Sequence, residues 1–399
     1  MVINGNKNIV KSSALFFIIF FFSYFIFQGM ITSPNEIDSL KLHIPTAHKI
    51  LDGSIYNPKT FTNDLFYYPW IIEYILAVFI LLKIPLNLYN VVATGFLLLA
   101  IFKLTNLVIK EKQNALFAIS FCFLPVITRW LNTQKNDIWT VFFYIISICI
   151  LEKGLSSRKS YLLLGVTLGA VAGAKYFSWL FIIPVIAIYY KQFTNSKKIS
   201  FLILTFLSLS LIGGSWILRA WFYTGNPVYP LNIAIVSGSG DEFFRFNLIK
   251  YILFFKNGLF IFIEKLFSEY LFWALALFSI PFFTLHIKHK NKSLSDSIKR
   301  IASLGFINFV IFLFLPTWVD NLTSSMRYGY YSIIPLAIVS WWLLIKHKTQ
   351  FWAYTLSFLT IFTGLTNFDF RPKIALFSLI VLFVVIKYKK EQKFNFHDS

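Results

Sequence analysis

Long apolar runs, separated by short polar and basic segments, occupy almost the whole chain. Most runs have about 15–20 residues, close to the length that an α-helix needs to cross the hydrocarbon core of a bilayer. Hydrophobic residues make up 57% of the 399 positions and charged residues 14%, so one soluble core could not bury the apolar surface. The pattern predicts an all-α integral membrane protein. The predicted spans are 13–31, 86–102, 114–130, 138–151, 160–174, 177–190, 200–218, 269–285, 301–315, 329–345, 351–364 and 374–388.

Two further apolar stretches, 69–83 and 251–263, are less regular. The first opens with the aromatic segment 67–70, and the second is interrupted by Lys256, Asn257 and Gly258. Both are predicted to be helices that lie at the interface or dip into it. Leaving both out of the count gives about twelve spans and places most Lys and Arg residues on one side, which the positive-inside rule assigns to the cytoplasm. Both termini are then predicted to be cytoplasmic, with the first helix retained rather than cleaved.

The net charge of +20 changes this picture little, because the basic residues are scattered over the short connectors. A nucleic-acid-binding surface would concentrate them in a patch or stripe. Cys122 and Cys149 both lie inside apolar runs, so no disulfide framework or metal motif is predicted. The sequence also has no nucleotide-binding glycine loop. An enzyme of this kind with its site outside the cytoplasm would need an activated donor from the membrane itself.

The predicted topology gathers the polar loops on the outer side. Glu36, Asp38 and His43 follow the first span, and Asp137 opens a later one. Asp38 is predicted to be a general base with His43 as an orienting group; the alternative is an ordinary solvated loop. Asp137 either caps its helix or faces Asp38 as a second acid.

Three cations fall on the same predicted side. Lys175 follows a run of small residues that predicts close helix packing, and Arg219 precedes a tight turn that contains Asn226. Arg327 begins another helix, where a positive charge opposes the helix dipole unless an anion binds there. Binding of a phosphate is one interpretation of these cations, and side chains that merely extend to the interface are the other.

Four stretches together resemble the polytopic GT-C-fold glycosyltransferases that use lipid-linked sugars, the group that includes protein mannosyltransferases and aminoarabinose lipid A transferases. They are Asp38-Ser-Leu-Lys-Leu-His43-Ile-Pro45-Thr-Ala, Tyr67-Tyr-Pro-Trp70, Ala174-Lys175-Tyr176, and Trp216-x-x-Arg219 with Tyr223-Thr-Gly-Asn-Pro-Val-Tyr-Pro230. The resemblance covers most of residues 10–230. It departs from the family at Ser39, where many relatives carry a second acid.

The resemblance implies an inverting glycosyltransferase that moves a sugar from a polyprenyl phosphate to an envelope glycan, lipid or protein on the outer side of a bacterial inner membrane. Asp38 would be the catalytic base. No metal ligand is assigned, but some relatives hold a divalent cation on their acids, and Glu36, Asp38 and Asp137 could do the same; metal-free catalysis is the alternative. The implied substrate-binding residues are Glu36, His43, Asp137, Lys175, Tyr176, Arg219, Asn226 and Arg327.

The predicted organisation has three parts: a GT-C-like catalytic transmembrane module over 1–230 that includes the first outer loop, 32–68; an outer loop with an interfacial helix over 231–268; and C-terminal helices with a basic tail over 269–399. Two other functions stay open. A polysaccharide polymerase of the O-antigen or capsule type would use an oligosaccharide on a pyrophosphate. A lipid-linked-glycan flippase would place charged residues within the spans, and these spans carry few of them.

Overall fold

The computed structural model describes residues 2–111, 113–194, 199–232, 247–279, 295–317, 322–347 and 349–366, with side chains from Leu15 onwards. The regular structure of these residues is helical, and one isolated β-bridge joins Asn247 to Pro316. The α-helices are α1 (Val2–Ile31), α2 (Ile44–Leu51), α3 (Glu73–Leu81), α4 (Tyr89–Val108), α5 (Asn114–Cys122), α6 (Pro125–Thr128), α7 (Asp137–Lys153), α8 (Arg158–Ala172), α9 (Ser178–Ile188), α10 (Tyr190–Thr194), α11 (Ile199–Gly213), α12 (Ser215–Thr224), α13 (Leu248–Phe254), α14 (Gly258–Tyr270), α15 (Asp296–Phe314), α16 (Leu322–Ser325), α17 (Tyr330–Lys346) and α18 (Gln350–Thr366).

Within the described residues, three helical segments are long and apolar enough to cross a membrane alone: Leu86–Val108, Asp296–Phe314 and Leu322–Lys346. The pair α11 and α12 adds a fourth if it counts as one span, although the two helices are bent by 52°. These segments fit an integral membrane protein, as the composition predicts. The count of about twelve spans and the location of the termini stay predictions.

Two predicted spans are interrupted rather than continuous. In the span predicted over 114–130, Leu124 has an extended backbone between α5 and α6, because the residue before a proline avoids the helical conformation. The span predicted over 200–218 bends at Gly214. A hydropathy window registers the apolar run in both cases but not the break within it.

The two ambiguous stretches also form short helices. Helix α3 has nine residues, far fewer than the roughly 20 needed to cross the hydrocarbon. The second stretch is divided between α13 and α14 at Asn257, whose φ of 62° is left-handed. The predicted span 374–388 and the basic tail lie outside the described residues, as does much of 231–246 and of the 286–300 connector.

One hydrophobic core includes Phe17 of α1, Trp139 of α7 and Trp341 of α17. Residues of the first and third predicted parts therefore pack together. The boundaries at 230 and 268 remain predictions, since 233–246 is not described.

Helices α8 and α11 approach each other closely through glycines. A Cβ atom at Gly165 would overlap the carbonyl oxygen of Thr205, and one at Gly169 would lie 2.9 Å from Cβ of Ile212. The small residues of α8 thus allow backbone contact between the helices, as predicted. At the end of α8, the carbonyl of Gly173 accepts a hydrogen bond of 3.1 Å from the backbone amide of Ile71. This bond ties the segment that follows the first outer loop, 32–68, to the end of α8.

Candidate active site

The first loop folds back on itself after α1. The Glu36 carboxylate accepts hydrogen bonds from the amide of Ser39 at 2.7 Å and from its hydroxyl at 2.9 Å. The Ser39 hydroxyl in turn accepts a 3.0 Å hydrogen bond from the amide of Gln134. Residues 39–43 form one π-helical turn, and Asp38 begins it. The loop that carries Asp38 is therefore attached to segment 129–137, the segment for which the sequence offered Asp137 as a second acid facing Asp38.

A buried lysine holds two carboxylates of this loop. The ammonium of Lys135 lies 2.8 Å from Oδ2 of Asp38 and 3.1 Å from Oε1 of Glu36. It also sits 4.3 Å from the ring centroid of Trp130. Lys135 is 5% exposed, whereas the side chain of Asp38 is 53% exposed. Asp38 thus presents a carboxylate to the surrounding space from a fixed position.

This environment keeps Asp38 ionised. Partial burial raises its pKa, but the hydrogen bond from Lys135 and the charges of Lys135, His43 and Arg327 lower it more, so the pKa lies below the ordinary value of 3.8. At neutral pH Asp38 carries a full negative charge and can accept a proton or a hydrogen bond. Its role as a catalytic base stays a prediction.

Asp137 is the centre of a second group, the Asp137 cluster, formed with Lys175 and Arg327. The carboxylate is 5% exposed. Lys175 donates to Oδ1, and Nη1 of Arg327 lies 3.4 Å from Oδ2. Asn136 rather than Asp137 occupies the cap position of α7, so Asp137 gains from the helix dipole as a first-turn acid but serves chiefly as the partner of two cations. The structure brings all three predicted residues together.

Arg327 has donor capacity left over. Its side chain is 13% exposed, and within the described part of the chain its buried Nε has no hydrogen-bond partner. The guanidinium lies 5.4 Å from the ring centroid of Tyr328 and 6.0 Å from that of Trp130. Lys175 lies 5.5 Å from the same tyrosine ring. Nε of Arg219 is buried without a partner as well, so what suits the Asp137 cluster to an anion is the pairing of two cations around one carboxylate.

His43 belongs to a buried network of hydrogen bonds. Its Nδ1 lies 2.7 Å from Oε1 of Glu73, and both residues are buried. The same oxygen accepts a 3.3 Å hydrogen bond from the side-chain amide of Asn136. That side chain also donates to the backbone carbonyl of Ala174 at 3.0 Å. His43 therefore connects the Asp38 loop to the residues directly before Asp137 and Lys175, consistent with an orienting role.

Arg219 turns towards the first loop instead of the Asp137 cluster. It donates to the carbonyl of Ile55 at 3.0 Å and to that of Phe66 at 2.6 Å. The rings of Phe61 and Trp70 each lie 5.2 Å from the guanidinium. Among the described residues no contact joins Arg219 to the Asp137 cluster. Its observed contacts hold the loop backbone, and its predicted contact with a phosphate stays a prediction.

Tyr176 and Asn226 likewise bond to the backbone. The hydroxyl of Tyr176 donates to the carbonyl of Tyr229 at 2.8 Å. The side chain of Asn226 donates to the carbonyl of Leu231 and accepts from the amide of Val228, at 2.8 and 2.9 Å. These contacts shape the turn after α12. Substrate binding by either residue is still a prediction.

The acids of the site do not form a metal-binding group. In the described ranges no three His, Cys, Asp or Glu residues are placed to share an ion. Glu36 and Asp38 share Lys135, and Asp137 is paired with Lys175 and Arg327. Since each carboxylate already faces a cation, this donor set does not fit a divalent ion.

Comparison with known proteins rests on structure alone. No model of a known protein family matches the sequence, and no curated protein is significantly similar to it. Two solved structures match with 12% identity, both of ArnT from Cupriavidus metallidurans. The apo state has a TM-score of 0.57 and covers 86% of this chain; the state bound to undecaprenyl phosphate has 0.53 and covers 84%.

This chain matches 60% of the ArnT chain, so it spans well under two thirds of that protein's length. At such low identity the likeness concerns the fold. ArnT is an aminoarabinose transferase with the GT-C fold, the group that the motifs of the sequence resemble. The predicted fold is confirmed: this chain has the GT-C fold.

Proposed function

We propose that this protein is an inverting glycosyltransferase that takes a sugar from a polyprenyl phosphate. The observation that carries the proposal is the juxtaposition of an exposed, ionised Asp38 with a cation pair, Lys175 and Arg327, whose donors are only partly used. The GT-C fold supports it, since one structure of ArnT was solved with undecaprenyl phosphate bound.

Lys175 and Arg327 would bind the phosphate of the donor. An ammonium has three N–H donors and a guanidinium five, and Asp137 accepts from each cation through one oxygen. Asp137 thereby keeps two like charges close together and leaves their remaining donors for phosphate oxygens. As the bond between the sugar and the phosphate breaks, charge accumulates on the leaving oxygen, and prepositioned cations stabilise that charge best.

Asp38 would act on the acceptor. A hydroxyl oxygen of the acceptor attacks the anomeric carbon, the bond from that carbon to the phosphate oxygen breaks, and the electron pair leaves with the polyprenyl phosphate. The hydroxyl proton passes to the Asp38 carboxylate. Because the pKa of Asp38 is low, it is a weak base, so proton transfer would come late and the leaving group would supply most of the driving force.

The acceptor and the side of the membrane are inferred from the topology. The Asp38 loop is bonded to the segment directly before Asp137, and the charge pattern of the sequence supports an orientation in which both face away from the cytoplasm. The acceptor would then be an envelope glycan, lipid or protein, and the membrane a bacterial inner membrane.

The test uses purified protein in lipid with a panel of radiolabelled polyprenyl-phosphate monosaccharides. We expect the wild type to release free polyprenyl phosphate, and Asp38→Asn to lower the rate by about 10²–10⁴-fold. Asp52→Asn is the matched control, because Asp52 is an exposed acid of the same loop that bonds to Ser54; it should retain the wild-type rate.

Full transfer by Asp38→Asn at normal expression would show that the base is assigned wrongly. Turnover of no monophosphate donor, together with chain extension from pyrophosphate-linked repeats, would replace the transferase with a polysaccharide polymerase.

A further inference from the structure

The mechanism so far gives no role to Lys135. This residue is almost fully buried, yet its ammonium makes two ion pairs, at 2.8 Å to Asp38 and 3.1 Å to Glu36. Withdrawing an ammonium from water is costly unless partners compensate for it. A surface lysine could have neutralised the loop at lower cost, so the burial itself requires an explanation.

The backbone around Lys135 is fixed on both sides. Asn90 of α4 donates to the carbonyl of Lys135 at 2.8 Å and to that of Trp130 at 3.0 Å. The amide of Gln134 donates to the hydroxyl of Ser39. The ring of Trp130 covers the ammonium. A long, flexible side chain is thus held in one place, and its charge is fixed relative to α4 rather than to the loop alone.

We propose that Lys135 is a positioning residue for the catalytic base: its ammonium holds Oδ2 of Asp38, while Glu36 fixes the ammonium from the other side. This arrangement would leave Oδ1 of Asp38 to receive the acceptor proton. The inference rests on the proposed function, in which Asp38 is the base. Lys135 contacts Asp38 and not the substrate, so it acts through that residue.

The charges around Asp38 predict how the removal of Lys135 would change the pKa of Asp38. Lys135, His43 and Arg327 favour the ionised carboxylate, and Tyr68 also lies within electrostatic reach. In the described part of the chain, Lys135 is the cation that makes an ion pair with Asp38. Without it, partial burial would be opposed only by cations that make no direct contact, and the pKa of Asp38 would rise.

The first experiment measures protonation of Asp38 without any substrate. Protein in lipid is treated with a water-soluble carbodiimide and an amine, which modify protonated carboxyl groups, over a pH series, and the Asp38 peptide is quantified by mass spectrometry. We expect the pH midpoint of Asp38 modification to move upward in Lys135→Met and to stay at the wild-type value in Lys135→Arg. Asp52, whose pKa is lowered by hydrogen bonds from Ser54, is the internal control and should not change.

The second experiment measures transfer. Lys135→Met should lower the rate at pH 7 by about tenfold or more, since a small displacement of a reacting group is costly, and lower it further at pH 5 relative to pH 7. The wild type should have nearly the same rate at both pH values, and Lys135→Arg should restore that flat profile. If the methionine variant is not monodisperse, Lys135→Gln replaces it, because it can still donate to Asp38 but carries no charge.

The outcomes separate the two proposals. An unchanged labelling midpoint and an unchanged pH ratio in the uncharged variant would overturn the role of Lys135, even if its rate fell. A raised midpoint, in a protein whose wild type transfers from no polyprenyl phosphate, would leave the Lys135 contact intact and overturn the proposed function. Full activity of Asp38→Asn would overturn both.

Discussion

The two ends of α7 each carry a buried acid, and the two acids are paired very differently. At one end, the Glu152 cluster consists of Glu152, Tyr189, Ser297 and Arg300. Oε1 of Glu152 accepts hydrogen bonds from the hydroxyl of Tyr189 at 2.6 Å and from Nε of Arg300 at 3.0 Å. Oε2 accepts from Nη2 of Arg300 at 2.8 Å and from the hydroxyl of Ser297. Both oxygens accept two hydrogen bonds each, and the bidentate arginine defines their geometry.

At the other end, about 22 Å away along the helix axis, Asp137 makes the opposite kind of arrangement. One acid is shared by two cations, the contact with Arg327 is 3.4 Å long, and Nε of that arginine is buried without a partner among the described residues. Buried polar groups in stable interiors are almost always satisfied. Under the proposed function this difference has a reason: the Glu152 cluster connects helices, whereas the cations of the Asp137 cluster would also bind the donor phosphate.

The difference between the two clusters is tested most strongly by replacing the arginine of each cluster. Arg327→Gln should lower sugar transfer by about 10²–10³-fold, the usual effect of removing one group that stabilises developing negative charge. Initial rates with a polyprenyl-phosphate sugar measure it. Arg300→Gln is the matched control, and its rate per folded molecule should equal that of the wild type. Equal losses in both variants would show that the two ends do not differ in function.

Stability should show the reverse order. Arg300→Gln leaves the Glu152 carboxylate, 1% exposed, without its bidentate partner, so we expect a loss of about 2–3 kcal/mol in the free energy of unfolding. Thermal unfolding in detergent, followed by intrinsic tryptophan fluorescence, measures the loss. Arg327→Gln should unfold nearer to the wild-type temperature, because Lys175 still pairs with Asp137. A larger loss for Arg327→Gln would contradict a ligand-binding role for that end.

The contribution of Asp38 to the free energy of unfolding should be small and should depend on pH. The pKa of Asp38 lies below 3.8 in the folded protein, so its ion pair stabilises the fold above that pH, and the contribution disappears as the pH falls through the folded pKa. The carboxylate is half-exposed and screened, so the contribution is less than about 1 kcal/mol. Unfolding of wild type and Asp38→Asn should differ slightly at pH 7, and the difference should shrink as the pH falls below 3.8. A difference that grows towards pH 3 would reverse the assigned sign.

Much of the Asp137 cluster could be predicted from the sequence. Asp137, Lys175 and Arg327 were each marked by a charge at the edge of an apolar run, and the alternation of spans placed them on one side. Glycine contacts of α8 were also predictable, because small residues at helical spacing have few other uses in a membrane. Pro125 carried a signal for the broken span that the hydropathy pattern concealed.

Of the two residues that were missed, Lys135 lacked a local signal, whereas Glu73 carried one. Lys135 stands among polar residues of a loop, and nothing near it in sequence indicates that it is buried or that its partners are Glu36 and Asp38. Glu73 is a single acid in an apolar stretch, a signal that could have marked it as a buried partner of His43. The direction in which a side chain points was also unpredictable. The sequence indicated that Arg219 lies near the interface, but not that it donates hydrogen bonds to carbonyls of the first loop.

The hydrogen bond between Ile71 and Gly173 has a consequence for substrate size. It joins the segment that follows the Asp38 loop to the turn that carries Lys175, and a Cβ atom at Gly173 would overlap the side chain of Ile71 and lie 3.0 Å from the carbonyl oxygen of Ile212. A main-chain hydrogen bond therefore couples the segment after the Asp38 loop to the turn that carries Lys175. Under the proposed function, adapting this protein to a bulkier sugar would need a change in the backbone at Gly173 in addition to smaller side chains around the site.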